Sequence, residues 1–184
     1  RNLTINGTCF NFTSITDLIF NCNNYALIGS NNGIAFNLND ANRTTLRNCT
    51  LKTLGTAIQL ASSSNNTITA NLIYNNTLGI NLTTSANNSI YNNYFNNTNN
   101  AVDNSFNKWN LTYVCSVTTR NIISGNCTGG NFWSNYNGTD IANASTAIPN
   151  ISGDGIGDTN IPYNNSGSIS NVGDYLPLLY QVSS

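Results

Sequence analysis

Apolar side chains recur every twenty-two residues, and that period constrains the fold more than any other feature of the chain. Phe36, Ile58, Ile80 and Val102 fall one period apart, as do Leu38, Leu60 and Leu82, then Leu46, Ile68 and Ile90, then Leu51, Ile73 and Phe95. Four columns in one register mark a stacked repeat, in which each unit buries its apolar face only against its neighbours. Inside a repeat, Ile34, Phe36 and Leu38 alternate with Ala35 and Asn37, which is the pattern of a strand with one face inward. In Ile68–Ile73 the two isoleucines are five apart, so the chain must bend between them, and Asn71 is placed at that bend. Asn65 and Asn87, Asn66 and Asn88, Asn71 and Asn93, and Asn75 and Asn97 are also one period apart. Asn tolerates left-handed backbone and bonds to nearby backbone, so it suits corners, and stacked Asn can form amide ladders.

Two or three short strands per turn joined by polar corners describe an all-β, right-handed parallel β-helix of about 22 residues per coil. A helical repeat would need Ala, Leu, Glu and Lys, and Glu is absent. The organisation read from the period is an irregular opening at 1–33, regular coils at 34–106 and an irregular cap at 107–184. In the opening, Ile19, Asn21 and Cys22 match Leu46, Asn48 and Cys49 only after a slip to twenty-seven.

Composition narrows the function classes. Six basic and seven acidic residues give a net charge of −1 and a pI near 4.9, which excludes an electrostatic nucleic-acid footprint. His, Met and Glu are missing, so the usual general bases reduce to seven Asp and the reading is of a protein that is not an enzyme. No apolar run reaches the ~18 residues of a membrane span, and the chain, which opens at Arg1, reads as a mature or excised segment. Asn fills forty positions. Asn-x-Ser/Thr sequons begin at Asn2, Asn6, Asn11, Asn42, Asn48, Asn65, Asn75, Asn81, Asn87, Asn96, Asn110, Asn126, Asn137, Asn143, Asn150 and Asn164. Chance would supply roughly nine, so these sixteen are an excess that points to N-glycans and an extracellular, cell-surface location.

Five cysteines in such a location suggest two disulfides and one thiol left over. Cys115 and Cys127 bracket a short irregular segment, and Cys22 and Cys49 occupy matching places in consecutive coils. Cys9 then remains, to be buried as a small hydrophobe, paired instead with Cys22, or used between subunits.

The last third carries a different text: Gly129-Gly130-Asn131-Phe132-Trp133-Ser134-Asn135-Tyr136, then Gly138-Thr139-Asp140, Gly153-Asp154-Gly155-Ile156-Gly157-Asp158-Thr159, Ile161-Pro162-Tyr163 and Asp174-Tyr175-Leu176-Pro177-Leu178. This order resembles the C-terminal signature of the NosD-like family of right-handed β-helix proteins, with its GGNYWSDY, GTD, DGDGIGDT, PY and DxYPL segments. The coil phrases Gly-Ile-x-Leu and Asn-Asn-x-Ile are similar to the family's as well. The resemblance implies a β-helix module of the kind found in large archaeal surface proteins, structural or adhesive. It also implies copper, since the family is named for periplasmic proteins that help mature a copper enzyme. Copper sites draw on imidazole, thioether or thiolate, which this chain lacks apart from its cysteines. The DGDGIGDT-like segment resembles an oxygen-rich calcium loop, with Asp140, Asp154, Asp158 and Asp174 as candidate ligands. The competing reading has Asp154 and Asp158 capping turns.

Trp133, Phe132, Tyr136 and Tyr175 read as a plug over the open core, with a sugar-stacking platform as the alternative. Arg43, Arg47 and Lys52 share one coil and read as a solvated face. The functional expectation is a glycosylated structural β-helix that self-associates head to tail into a filament, or joins further β-helix modules, with surface glycans as candidate ligands. The alternatives are a polysaccharide-binding or polysaccharide-degrading β-helix protein and, less favoured, a copper-associated maturation factor.

Overall fold

The computed structural model describes residues 2–141 and 152–181. The chain enters through β1 (Leu3–Thr4) and completes a first coil with β2 (Thr8–Thr13), β3 (Ile19–Asn21) and β4 (Ala26–Ile28). The second coil is β5 (Ile34–Asn39), β6 (Thr45–Arg47) and β7 (Thr50–Lys52), and the third is β8 (Thr56–Ala61), β9 (Thr67–Thr69) and β10 (Leu72–Tyr74). The fourth is β11 (Leu78–Thr83), β12 (Ser89–Tyr91) and β13 (Tyr94–Asn96). β14 (Asn99–Asp103) opens a fifth coil, a hairpin of β15 (Val114–Cys115) and β16 (Cys127–Thr128) interrupts it, and β17 (Phe132–Trp133) closes it.

Each strand pairs in parallel with its counterpart one coil away. The three faces run β1-β4-β7-β10-β13-β17, β14-β11-β8-β5-β2 and β12-β9-β6-β3. The result is a β-solenoid of about 5 turns with about 22 residues per turn and three strands in each turn. Parallel register sets like side chains one strand spacing apart, so Leu38, Leu60 and Leu82 stack directly, as do Leu46, Ile68 and Ile90. All six are buried.

Two columns differ from the plain period. The fourth coil is one residue short on the face of β11, so Ile80 lies over Ala101 while Val102 pairs with Asn81 and turns outward. The first coil is four residues longer than the twenty-two-residue mean, so Phe20, not Ile19, lies over Leu46; Ile19 is 65% exposed. Phe10 and Phe12 continue the same end of the core over Phe36 and Leu38, with the Phe10 and Phe36 rings stacked at 5.1 Å.

Corners follow one rule. A residue in left-handed conformation turns the chain and the next residue points inward. Asn65 (φ 58), Ala70 (φ 56), Asn75 (φ 55), Asn87 (φ 59) and Asn92 (φ 54) turn it, and Asn66, Asn71, Asn76, Asn88 and Asn93 enter the interior. Asn71 is therefore the inward rung, and Ala70 takes the bend expected of it. Each rung binds two coils. Asn93 Oδ1 accepts from Asn71 N at 3.1 Å and Asn71 Nδ2 at 3.0 Å, while Asn93 Nδ2 donates to Ile68 O at 2.8 Å. Asn131 repeats the arrangement beneath Asn93, and Asn66, Asn88 and Asn107 form a second ladder. In the third ladder Asn76 meets Asn97 rather than Asn75, because of the same one-residue shortening. Ser63 and Ser85 form a fourth file that accepts from Ala41 N and Ser63 N.

These amides sit where water cannot reach, so each removed partner leaves orphaned donors and acceptors at about 1–3 kcal/mol apiece. Asn93→Ala should lower the unfolding free energy by about 3–5 kcal/mol on that basis. Asn96→Ala, on the exposed side of β13, should stay within about 0.5 kcal/mol. Urea unfolding followed by circular dichroism checks both.

Candidate functional site: outward sequons and a carboxylate-bound cap

Two populations of Asn occupy opposite sides of the coil wall. None of the described sequon residues is buried: Asn2, Asn6, Asn11, Asn65, Asn75, Asn87, Asn96, Asn137 and Asn164 are exposed, and Asn42, Asn48, Asn81, Asn110 and Asn126 are half-buried. Asn143 and Asn150 lie outside the described residues. None of the ten buried Asn, which include every ladder residue named above except the half-buried Asn97, begins a sequon. The triplets Asn65-Asn66-Thr67, Asn75-Asn76-Thr77, Asn87-Asn88-Ser89 and Asn96-Asn97-Thr98 show why. The first residue faces solvent at the corner, the second enters a ladder, and the hydroxyl residue leads into or toward the next strand. A sequon is thus a by-product of the corner, which accounts for part of the excess over chance.

Occupied amides differ among the sequons. Asn11 Oδ1 accepts from Asn37 Nδ2 at 2.7 Å, whereas Asn81 Nδ2 donates to Gln59 Oε1 at 2.9 Å and Asn48 Nδ2 donates to Asn21 Oδ1 at 3.1 Å. Asn126 holds a buried Oδ1 without a partner. Asn65 and Asn87 stand on one corner in adjacent coils, about 4.8 Å apart by strand spacing.

The four candidate calcium ligands do not form one set. Asp174 is fully buried in the core, where it accepts from Asn131 N at 2.7 Å, Trp133 Nε1 at 2.9 Å and Leu176 N at 3.0 Å. Asp140 accepts from Gly153 N at 2.6 Å and Gly155 N at 2.7 Å, so both its oxygens close the glycine loop. Asp154 accepts from Ile156 N at 2.8 Å and from the Tyr113 hydroxyl at 2.9 Å. Asp158 accepts from Ile141 N at 2.9 Å and leaves Oδ1 buried without a partner. Among the described residues no three His, Cys, Asp or Glu side chains assemble as a metal site. Of the two residues in the turn-capping reading, Asp154 accepts from Ile156 N two residues on, while Asp158 accepts from Ile141 N seventeen residues back. The insertion at 142–151 lies outside the described residues.

The signature segments meet around these carboxylates. A Cβ at Gly130 would overlap the Asp174 carboxylate, and one at Gly129 would overlap Leu176. Asn131 joins the ladder, and Trp133 stacks on Phe95 at 4.6 Å and on Tyr163 at 4.5 Å. Tyr136 lies against Gly138 and Gly157 and donates to Thr159 O. Phe132 stacks on Tyr94 at 4.6 Å, and Tyr175 is 48% exposed, so the plug consists of Trp133 and Tyr136 without Tyr175. Trp109, which the period did not single out, completes it. It is fully buried, 5.5 Å from Trp133, and donates Nε1 to Asp103 at 3.0 Å. Its only sequence signal is that an indole N–H, once buried, needs an acceptor, and Asp103 lies six residues before it.

Asp103 is 1% exposed and also accepts from Ser105 N and Asn107 Nδ2, so no substrate reaches it. Arg43 forms a bidentate pair with Asp17 at 2.7 and 2.8 Å on the surface. The disulfides join Cys22 to Cys49, with Cα atoms 4.8 Å apart, and Cys115 to Cys127 across the hairpin. Cys9 is free and half-buried, and burial pushes its thiol up.

Burial also raises Asp103, Asp154 and Asp158, and lifts Asp174 to about 7 against the pull of its N–H donors. A folded-state value above the unfolded one means that the protonated carboxyl favours the fold. That contribution is complete below about 3.9 and is lost as pH rises through about 7. The melting temperature should therefore be higher at pH 5 than at pH 8, and Asp174→Asn should shrink the difference; differential scanning calorimetry reads both.

Residues 2–138 match the family model described as Periplasmic copper-binding protein (NosD). No curated protein and no solved structure matches the chain.

Proposed function

The chain belongs to the NosD family of β-solenoid proteins, and on that premise we propose that it is a secreted, N-glycosylated structural module of a cell-surface assembly, not an enzyme. The segregation of the two Asn populations carries this reading. Nine of the sequon residues are exposed and none of those described is buried, while the amides that would suffer from modification are enclosed. Two disulfides suit the oxidising compartment that the family description indicates. Among the described residues no helix is long and apolar enough to cross a membrane.

The copper in the family description does not fit this chain's donors. His and Met are absent, four of the five cysteines are joined in disulfides, and Cys9 stands alone with its thiol form favoured by burial. Copper chemistry needs imidazole, thioether or thiolate ligands in a group. A polysaccharide-degrading role would need clustered acids on one open face. The coils offer Asp17, exposed and paired with Arg43, Asp40, exposed, and Asp103, enclosed between Trp109 and Asn107.

Glycopeptide mass spectrometry of material from the source organism tests the proposal. Glycan mass should fall on Asn65, Asn75, Asn87 or Asn96 and never on Asn66, Asn76 or Asn88. Native material free of glycan at every sequon would overturn it.

A further inference from the structure

The long sides of the rod differ in chemistry from one corner to the next. Each turn has three corners: one before β6, β9 and β12, one between those strands and β7, β10 and β13, and one after the latter. In the second to fourth coils the exposed sequon residues Asn65, Asn75, Asn87 and Asn96 stand at the first and third corners, which flank the face of β5, β8 and β11. The middle corner carries one sequon residue, Asn48, which is half-buried and donates its amide to Asn21.

Cations and tyrosines gather at that middle corner. Arg47 faces outward on β6, and Thr69 and Tyr91 continue its file. Thr50, Leu72 and Tyr94 form the file on the other side of the corner, and beyond it Lys52 places Nζ 5.8 Å from the centre of the Tyr74 ring. Lys108 is exposed and bridges Ser89, and Arg120 is exposed two residues from Ile122, whose N–H donates to Asn92 Oδ1 at the same corner. Among the described residues these four cations form no ion pair, whereas Arg43, at the first corner, is held by Asp17. The exposed acids Asp17 and Asp40 both lie at the first corner.

We infer that the middle corner is the binding side of the rod and that its occupant is an acidic polysaccharide lying along the stack of coils. This deepens the structural-module reading, on which it rests, by naming what the module holds. Charge selects an acidic partner, because four unpaired cations meet no exposed acid along that corner. The groups between the cations select a sugar polymer over an acidic protein. Every strand here is paired on both sides, so no backbone edge is left for a peptide strand. Leu72, 37% exposed, is the one exposed aliphatic side chain on these six strands, short of the apolar centre that a protein interface needs. The patch offers instead Thr and Ser hydroxyls beside tyrosine rings, which supply hydrogen bonds and apolar ring surface together. Like positions recur at one strand spacing, ~4.8 Å, close to the length of one sugar ring in an extended chain. The second coil, with Arg47 and Lys52, and the fifth, with Lys108, are three spacings apart, so a run of about three sugars reaches from one group of charges to the other.

Biolayer interferometry of the intact chain against immobilised polygalacturonate, neutral galactan and polyglutamate tests the assignment. Polygalacturonate should bind and galactan should not, and affinity should fall about tenfold between low and high salt as exposed charges are screened. Arg47→Gln combined with Lys52→Gln should weaken binding about tenfold, the loss expected of two exposed ion pairs, and leave the far-ultraviolet spectrum unchanged. Tyr91→Ser should weaken it about fivefold, as one lost aromatic contact does, while Gln59→Ser on the opposite face should leave it unchanged. Polygalacturonate left unbound at low salt overturns the inference, as does binding that neither the Arg47 and Lys52 pair nor Tyr91 affects. Polyglutamate held as tightly as polygalacturonate would make the corner an acidic-protein surface and overturn it equally. The glycopeptide measurement stands apart from these outcomes: occupied sequons on a protein that ignores polygalacturonate would retain the secreted module and remove its ligand.

Discussion

Buried amides that bind one coil to the next fix the register on which the rest of the molecule depends. Strand hydrogen bonds alone hold neighbouring coils together but tolerate slippage along the strand, and a slip would turn an inward side chain outward. A side-chain amide inside the corner removes that freedom. Its oxygen accepts from the same position one coil back, and its nitrogen reaches the carbonyl three residues before that position. A slipped coil would leave both groups without partners in an interior that offers no water. The aliphatic files are consequently vertical because the amides beside them are.

The cap extends this principle with carboxylates. Asn131 continues a ladder, and Asp174 receives the N–H groups of Asn131, Trp133 and Leu176 at the point where the coils stop. Two glycines stand beside it because any side chain there would displace the carboxylate or Leu176. The segments that mark the C-terminal third thus read as one lock, in which glycine makes room, asparagine joins the coil ladder, tryptophan covers the core and aspartate gathers the donors. Asp140 does the same for the glycine loop at the far end.

The period made the stacked-coil fold and three of the four apolar files legible before any coordinates, because those features repeat at fixed spacing, while the disulfides were read from matching places in consecutive coils and from the short segment that Cys115 and Cys127 bracket. It misplaced Val102 and Ile19 where a coil departs from the mean length by one and by four residues, since a period carries no information about local insertions. Asn71 was read as the turning residue because Asn favours left-handed backbone, yet Ala70 holds that conformation and the amide serves inside. Asp174 was read as a candidate calcium ligand beside the glycine-rich loop. Its carboxylate accepts from N–H groups of residues some forty positions earlier, which no local pattern announces. The Asp103–Trp109 pair was missed because it continues two files out of the twenty-two-residue step: Asp103 pairs with Leu82 twenty-one residues on, and Trp109 follows Lys108, which bridges Ser89 nineteen residues on.

In the Asn-Asn-Thr/Ser corner, a sequon and an architectural rung are written in the same three letters. Duplication of a coil would copy the sequon together with its rung. The number of sequons would then grow in proportion to the length of the spine, without separate selection for either.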